Sequence, residues 1–301
     1  MSMQTEQMWD TLCQAGVVEG SAPETGELES PWYVKVLLAF SGWLAAVFLL
    51  GFIGVGFEFV FNNNNTAVAF IIGGIMIAGA FAILRIRKNE FFEHLALAVS
   101  LAGQALVVFA IFKISNHNEK IAWMLMAILQ VSLAVIMPNF VHRVFSSFFA
   151  AFAFSMTLTI MSWHYVGSGT VMLLAAMCWL NEFHYPQHIR KIRAIGYGLV
   201  LALIQLKGSA LFGYRTMGWR LLSKQSDLWA NTWFGEVLIG AVTLWVAWHL
   251  LKRYKQTISS RLSITALLGA LLLCAVSMKV QGITVGIVII LLGFSGTNRV
   301  L

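Results

Sequence analysis

Charge is what this chain has least of. Only 11% of its 301 residues are charged, against about 25% in an ordinary soluble domain. Hydrophobic residues make up 59%, and mean hydropathy is +0.78. So little charge excludes a water-soluble globule and implies an integral membrane protein. Cysteine is also scarce. Cys13, Cys178 and Cys274 show no ligand-like spacing, and the last two lie inside apolar runs, where a thiol acts as a small hydrophobe. No disulfide is expected. Residues 1–30 contain no Lys or Arg at all. That polar, acidic start excludes a cleavable signal peptide. No nucleotide-binding loop, zincin helix or haem-attachment motif is present, so no cofactor is expected.

What charge there is falls unevenly. Glu6, Asp10, Glu19, Glu24, Glu27 and Glu29 give residues 1–30 a charge of −6, leaving +13 on the rest of a chain whose net charge is +7. In a membrane protein, basic excess reads as loop charge that fixes orientation, with the lipid bilayer as partner and no nucleic acid.

The chain divides into two parts. Residues 1–30 form an acidic cytoplasmic segment. Met8, Trp9, Leu12 and Ala15 make an apolar stripe at helical spacing, ending at Gly16. The stripe suits a helix lying on the membrane or under the bundle, or one that docks a partner. Ser21-Ala22-Pro23-Glu24 follows as a linker. Residues 31–301 form a multi-spanning domain with apolar runs at 34–57, 66–84, 89–112, 121–137, 144–163, 169–180, 194–214, 232–251, 262–278 and 280–297. Asn62 to Asn65 mark a turn, and Pro138 stops the fourth run. Trp32, Trp123, Trp163, Trp179 and Trp233 lie at run ends, as an interfacial aromatic belt requires. The expected fold is all-α: a polytopic transmembrane helix bundle of about ten spans with a short cytoplasmic N-terminal segment.

The run at 89–112 is the clearest. Residues 95–112 carry no formal charge, and about eighteen helical residues roughly cross the hydrocarbon core. Gln104 sits near its middle. An amide in lipid needs a partner, so it should face other helices. Ala96, Ser100, Gly103 and Gln104 share one face of small and hydrogen-bonding residues. Gly74, Ala78 and Ala82 give the second run a small-residue packing seam, and Gly282 and Gly286 give the last run a GxxxG pair.

Glu93-His94-Leu95-Ala96-Leu97-Ala98, followed by Ser100-Leu101-Ala102-Gly103-Gln104-Ala105-Leu106, resembles a signature stretch of an uncharacterised bacterial family of multi-spanning inner-membrane proteins. Pro31-Trp32-Tyr33-Val34, Met137-Pro138-Asn139-Phe140-Val141-His142-Arg143, Gly293-Phe294 and Asn298-Arg299-Val300-Leu301 agree with it. The resemblance covers nearly the whole chain. It implies the polytopic architecture and a possible partner, a membrane protein with a GDYXXLXY motif often encoded beside the family, but no chemistry. Relatives that continue into further apolar segments would make this chain a shortened version.

Candidate chemistry is sparse. His184 and His188 are four apart beside Glu182, a spacing that can share a metal on a helix. Pro186 lies between them, and Arg190, Lys191 and Arg193 would repel a cation, so no metal is expected. Val166-Gly167-Ser168-Gly169 with His164 is similar to the glycine-flanked serine of intramembrane proteases, but Val166 replaces the first glycine and a tight turn explains the other two. No catalytic residue is expected. The segment 213–231 carries Arg215, Arg220 and Lys224 with Trp219 and Trp229, suited to an interfacial loop or anionic headgroups. The polar intramembrane candidates are Gln104, Gln130, Gln205, Lys207 and Glu236. Antiparallel neighbouring spans would bring Lys207 and Glu236 to similar depth, within reach of an ion pair.

Three functions are open: a non-enzymatic subunit that binds a second membrane protein, a carrier of a small solute, or an enzyme acting on lipid. The first fits best. Counted by alternate sides, Lys and Arg number thirteen against seven in favour of a cytoplasmic amino terminus. Reporter fusions at Asn63, Asn89 and Ser168 are expected to read outside, inside and outside; the reverse pattern contradicts that topology.

Overall fold

The computed structural model describes Trp9, residues 11–16, isolated positions between 34 and 51, and residues 66–86, 90–116, 118–212, 232–253, 260–277 and 282–295. The body of the first apolar run, the turn at Asn62 to Asn65, the linker at 21–24, the segment 213–231 and the final motif at 298–301 lie outside the described residues. Among the described residues there is no strand. Nine helices account for the second to tenth apolar runs: α1 (Thr66–Ile86), α2 (Glu90–Ile114), α3 (Glu119–Ile136), α4 (Phe140–Ile160), α5 (His164–Leu180), α6 (Ile189–Phe212), α7 (Thr232–Arg253), α8 (Arg261–Ser277) and α9 (Ile283–Ser295). Five of these, α1 to α4 and α7, are long and apolar enough to cross a membrane. At about 1.5 Å per residue, the 24-residue α6 is also long enough, whereas α5, α8 and α9 hold shorter apolar stretches.

The helices pack largely with their sequence neighbours. α1 lies on α2, α3 on α4, and α4, α5, α6 and α7 form the centre, with α8 and α9 against α7. The main apolar core is built around α5, where Met172, Ala176 and Trp179 meet Leu203 of α6, Ile239 of α7 and Val288 of α9. The small residues of α5 let four helices converge on it without long side chains forcing them apart.

Four expectations need correction. The seam on α1 is one position off. Gly74, Ala78 and Ala82 are exposed, while Ala69, Gly73 and Ala80 are buried. A Cβ on Gly73 would stand 2.6 Å from the carbonyl oxygen of Gly103, and one on Gly103 would stand 2.7 Å from that of Gly73. The two glycines are therefore the crossing point of α1 and α2. Gly167 and Gly169 do not make a tight turn. α5 begins at His164, and the turn lies before it, where Ser162 takes φ 64°. The glycines instead admit Ser155 of α4 and Leu238 of α7 against the α5 backbone. Ser168 is thus within a helix, and Ser162 is the better reporter position. Trp179 belongs to the core and not to an interfacial belt. It is buried, with its ring edge-on to Tyr197 at 5.0 Å. Trp163 is 62% exposed and keeps the interfacial assignment. Gly282 also leaves no GxxxG face on α9, because it occupies the preceding turn at φ 96° and nothing among the described residues approaches Gly286.

At the amino terminus, Gly16 has φ 67° and its N–H bonds to the Cys13 carbonyl, closing the short helical turn of residues 11–14.

Gly73→Leu and Gly103→Leu should each separate α1 from α2 and cost about 1–3 kcal/mol. Gly74→Leu, one residue away on the open face, should leave stability unchanged. Reversible unfolding in a bilayer mimic checks this, and equal losses at Gly73 and Gly74 would contradict the crossing point.

Candidate functional site

The stretch from Met137 to Arg143 ties three helices together. Pro138 cannot continue α3, which ends with the Met137 N–H bonded to the Leu133 carbonyl. The last carbonyls of α3 then lack helical partners. Arg143, in the first turn of α4, folds back onto them, its Nε donating to Met137 O at 2.5 Å and a terminal nitrogen to Val135 O at 3.4 Å. A buried cation at a helix carboxyl end is favoured by the helix dipole as well. Asn139 caps α4. Its Oδ1 accepts from the His142 N–H at 3.0 Å, and its Nδ2 donates to Glu93 Oε2 of α2 at 3.0 Å.

The cap aims His142 at α2. Its Nε2 lies 2.7 Å from Ser100 Oγ and 3.2 Å from Gln104 Nε2, and its Nδ1 lies 3.2 Å from Ser146 Oγ. Gln104 Nε2 also donates to Ser100 Oγ at 3.3 Å, and Gln104 Oε1 accepts from Gln130 Nε2 of α3 at 2.9 Å. Every member is buried, Ser100 and His142 completely. With the Gln104 amide in this orientation, the donors set the tautomer. An amide nitrogen only donates, so Nε2 of His142 is a bare lone pair that accepts from Gln104 and from the Ser100 hydroxyl. Nδ1 then carries the proton and donates to Ser146. In this arrangement His142 is neutral.

A second polar group lies across α6, α7 and α8. Lys207 Nζ donates to Glu236 Oε1 at 2.5 Å, and Ser277 Oγ donates to Glu236 Oε2 at 3.1 Å. Lys207 and Glu236 are both buried, and pairing reduces the cost of holding each charge away from water. A third pair closes the turn between α5 and α6. Glu182, buried in a 3-10 turn, accepts from the half-exposed Arg193, while its second oxygen, Oε2, has no partner among the described residues.

The five sequence candidates therefore separate. Gln104 and Gln130 meet in the first group and Lys207 and Glu236 in the second. Gln205 is half-buried and belongs to neither. His184 and His188 are exposed and sit in two separate 3-10 turns, and Glu182 is committed to Arg193. Sequence reasoning missed His142, Ser146, Arg143, Asn139, Glu93 and Ser277. The signal for His142, Arg143 and Asn139 was the set of polar residues directly after Pro138, which read as a loop end and not as the cap of a helix, whereas Ser146 lay inside the fifth apolar run.

These helices and their internally paired polar groups define a class: an all-helical membrane protein whose interior polarity is resolved between helices. The chain belongs to the family of a domain of unknown function, DUF4401, which matches residues 31–301. No curated protein and no solved structure matches it.

Lys207→Ala or Glu236→Ala alone should lower accumulation of the protein in membranes more than the double substitution does, because each single change strands one buried charge. Additive losses, measured by quantifying folded protein in the membrane fraction, would show that the pair is not coupled.

Proposed function

We propose that the protein is a non-enzymatic subunit of a bacterial inner-membrane assembly that holds a second membrane protein on the open face of α1. The exposed seam of Gly74, Ala78 and Ala82 carries this reading. It lies one position from the buried Gly73, so α1 has small residues on two faces and uses only one of them on α2. Among the described residues, nothing approaches Gly74 within 4 Å of where a Cβ would stand. α1 is also the least buried of the five long apolar helices, at 17% against 28% for the next. Small residues gain little from lipid tails but let a partner backbone come close. The buried polar groups point to one another, which supports a structural use for them.

The partner to test first is the GDYXXLXY-motif membrane protein that the family resemblance implies. The amino terminus is cytoplasmic on this reading, although Arg143 weakens the charge count, since it is spent on capping α3. Co-expression and purification should recover the pair with the unaltered chain. With Ala78→Trp the partner should be lost while the protein itself accumulates normally. Full retention of the partner contradicts the proposal, as does cross-linking from a cysteine at Ala78 to residues 34–57 of the same chain.

A second reading, a carrier for a small solute, is favoured by the Lys207–Glu236–Ser277 group, because paired charges within spans are rare outside transport pathways. It requires the group to open to water. A cysteine at Ser277 would then react with a water-soluble reagent, and complete protection supports the subunit instead.

A further inference from the structure

The hydrogen bonds around His142 run in one direction. Gln130 donates to Gln104, and Gln104 donates to Ser100 and to His142 Nε2. The chain begins at Gln130, whose Oε1 is buried and has no partner among the described residues. An orphaned buried acceptor in lipid is costly. It is also the atom that the reversed chain would need. If Nε2 carried a proton it would have to donate. Turning the Gln104 amide by half a rotation presents Oε1 to that N–H and swings the amide nitrogen toward α3. The same rotation of Gln130 presents its Oε1, unpartnered in the present state, to the Gln104 nitrogen. Ser100 then turns its hydroxyl to its own helix, as serines within helices commonly do. Amide rotation exchanges groups of equal size, so neither state disturbs the packing.

We propose that His142 is a proton-binding site within the helix bundle, and that a proton bound at Nε2 reverses the hydrogen-bond relay running from α4 through Gln104 of α2 to Gln130 of α3. The proton forms an N–H bond with the Nε2 lone pair, Nδ1–H continues to donate to Ser146, and the site gains one positive charge. The relay keeps its link between α2 and α3 in both states, and Ser100 Oγ, 2.7 Å from Nε2, changes from donor in the neutral state to acceptor of the Nε2–H in the charged one.

An acidic group stands on the same helical stripe. Glu93, Ser100 and Gln104 stand at i, i+7 and i+11 on α2 and so form one stripe. Glu93 is half-buried at the start of the helix and is held by Asn139, the residue that caps His142. Its carboxylate is the acidic group on the stripe that carries Ser100 and Gln104. The other charged or titratable groups around this end are Arg143 on α4, which opposes a second cation, His94 on α2, and Arg190, Lys191 and Arg193 at the start of α6. α3 has Glu119 and Lys120 only at its far end, and α5 has no charged residue between Val166 and Leu180. The site does not depend on the subunit reading.

Solid-state NMR of the full-length protein in lipid bilayers tests this, with nitrogen-15 in histidine and glutamine side chains. His142 is identified by loss of its signals in His142→Asn, or by its contact with Gln104 if that variant does not fold. At about pH 8, His142 should be neutral with the proton on Nδ1, and by about pH 3 it should be an imidazolium, because complete burial disfavours the cation. The side-chain amide signals of Gln104 and Gln130 should shift over the same range. In Gln104→Leu, His142 should still bind the proton while Gln130 no longer responds. An imidazole that stays neutral throughout overturns the proposal. So do glutamine signals that ignore the titration, or a Gln130 shift that survives without Gln104.

Discussion

A polar group inside a bilayer has no water to turn to. Whatever is not bonded within its own helix must find a partner on another. That constraint explains why the polar residues of this chain, scattered widely in sequence, lie in compact groups in space. Gln104 and Gln130 are twenty-six positions apart, and Ser100 and His142 are forty-two apart, yet all four meet between α2, α3 and α4. Lys207, Glu236 and Ser277 do the same for α6, α7 and α8. Each bond is worth little alone, on average about 0.6 kcal/mol in a membrane. Their larger effect is on register. A helix that slid by one residue would lose every partner at once.

Apolar contact and polar pairing divide the work. α1 joins α2 through a crossing of two glycines, with no polar side chain needed there. α5 gathers α4, α6, α7 and α9 through small and medium apolar residues. Between α2 and α4 the backbones approach less closely, and the bonds to His142 bridge them. Arg143 and Asn139 connect the two kinds of contact. One caps the helix before the turn and the other the helix after it, so the orientation of His142 is set by backbone geometry as much as by its own neighbours.

Much of this was legible from the sequence. The apolar runs gave the helices from 66 onward to within a few residues, and the face of Ala96, Ser100 and Gln104 is buried as the spacing implied. Lys207 and Glu236 were matched by depth, since two adjacent antiparallel spans put their charges at one level. The failures also have physical causes. Nearly uniform hydrophobicity around α1 left no polar face to fix its rotation, so the seam was placed at Gly74 instead of Gly73. The glycines at 167 and 169 carry the same signal for a turn as for a close helix contact, and only the neighbouring Ser155 and Leu238 distinguish the two. His142 was hidden because Pro138 suggested a loop, and a loop histidine would face water. Ser277 lay at the edge of a run, where a serine needs no partner.

The central claim is that Gln104 and His142 are in direct contact inside the membrane and hold α2 to α4. The most direct measurement is the dipolar coupling between carbon-13 at Gln104 Cδ and nitrogen-15 at His142 Nε2, with the protein in lipid bilayers. The structure places the amide nitrogen 3.2 Å from that ring nitrogen and Cδ is bonded to that nitrogen, so a detectable coupling between Cδ and Nε2 is predicted. No detectable coupling, with both side chains ordered, would contradict the account.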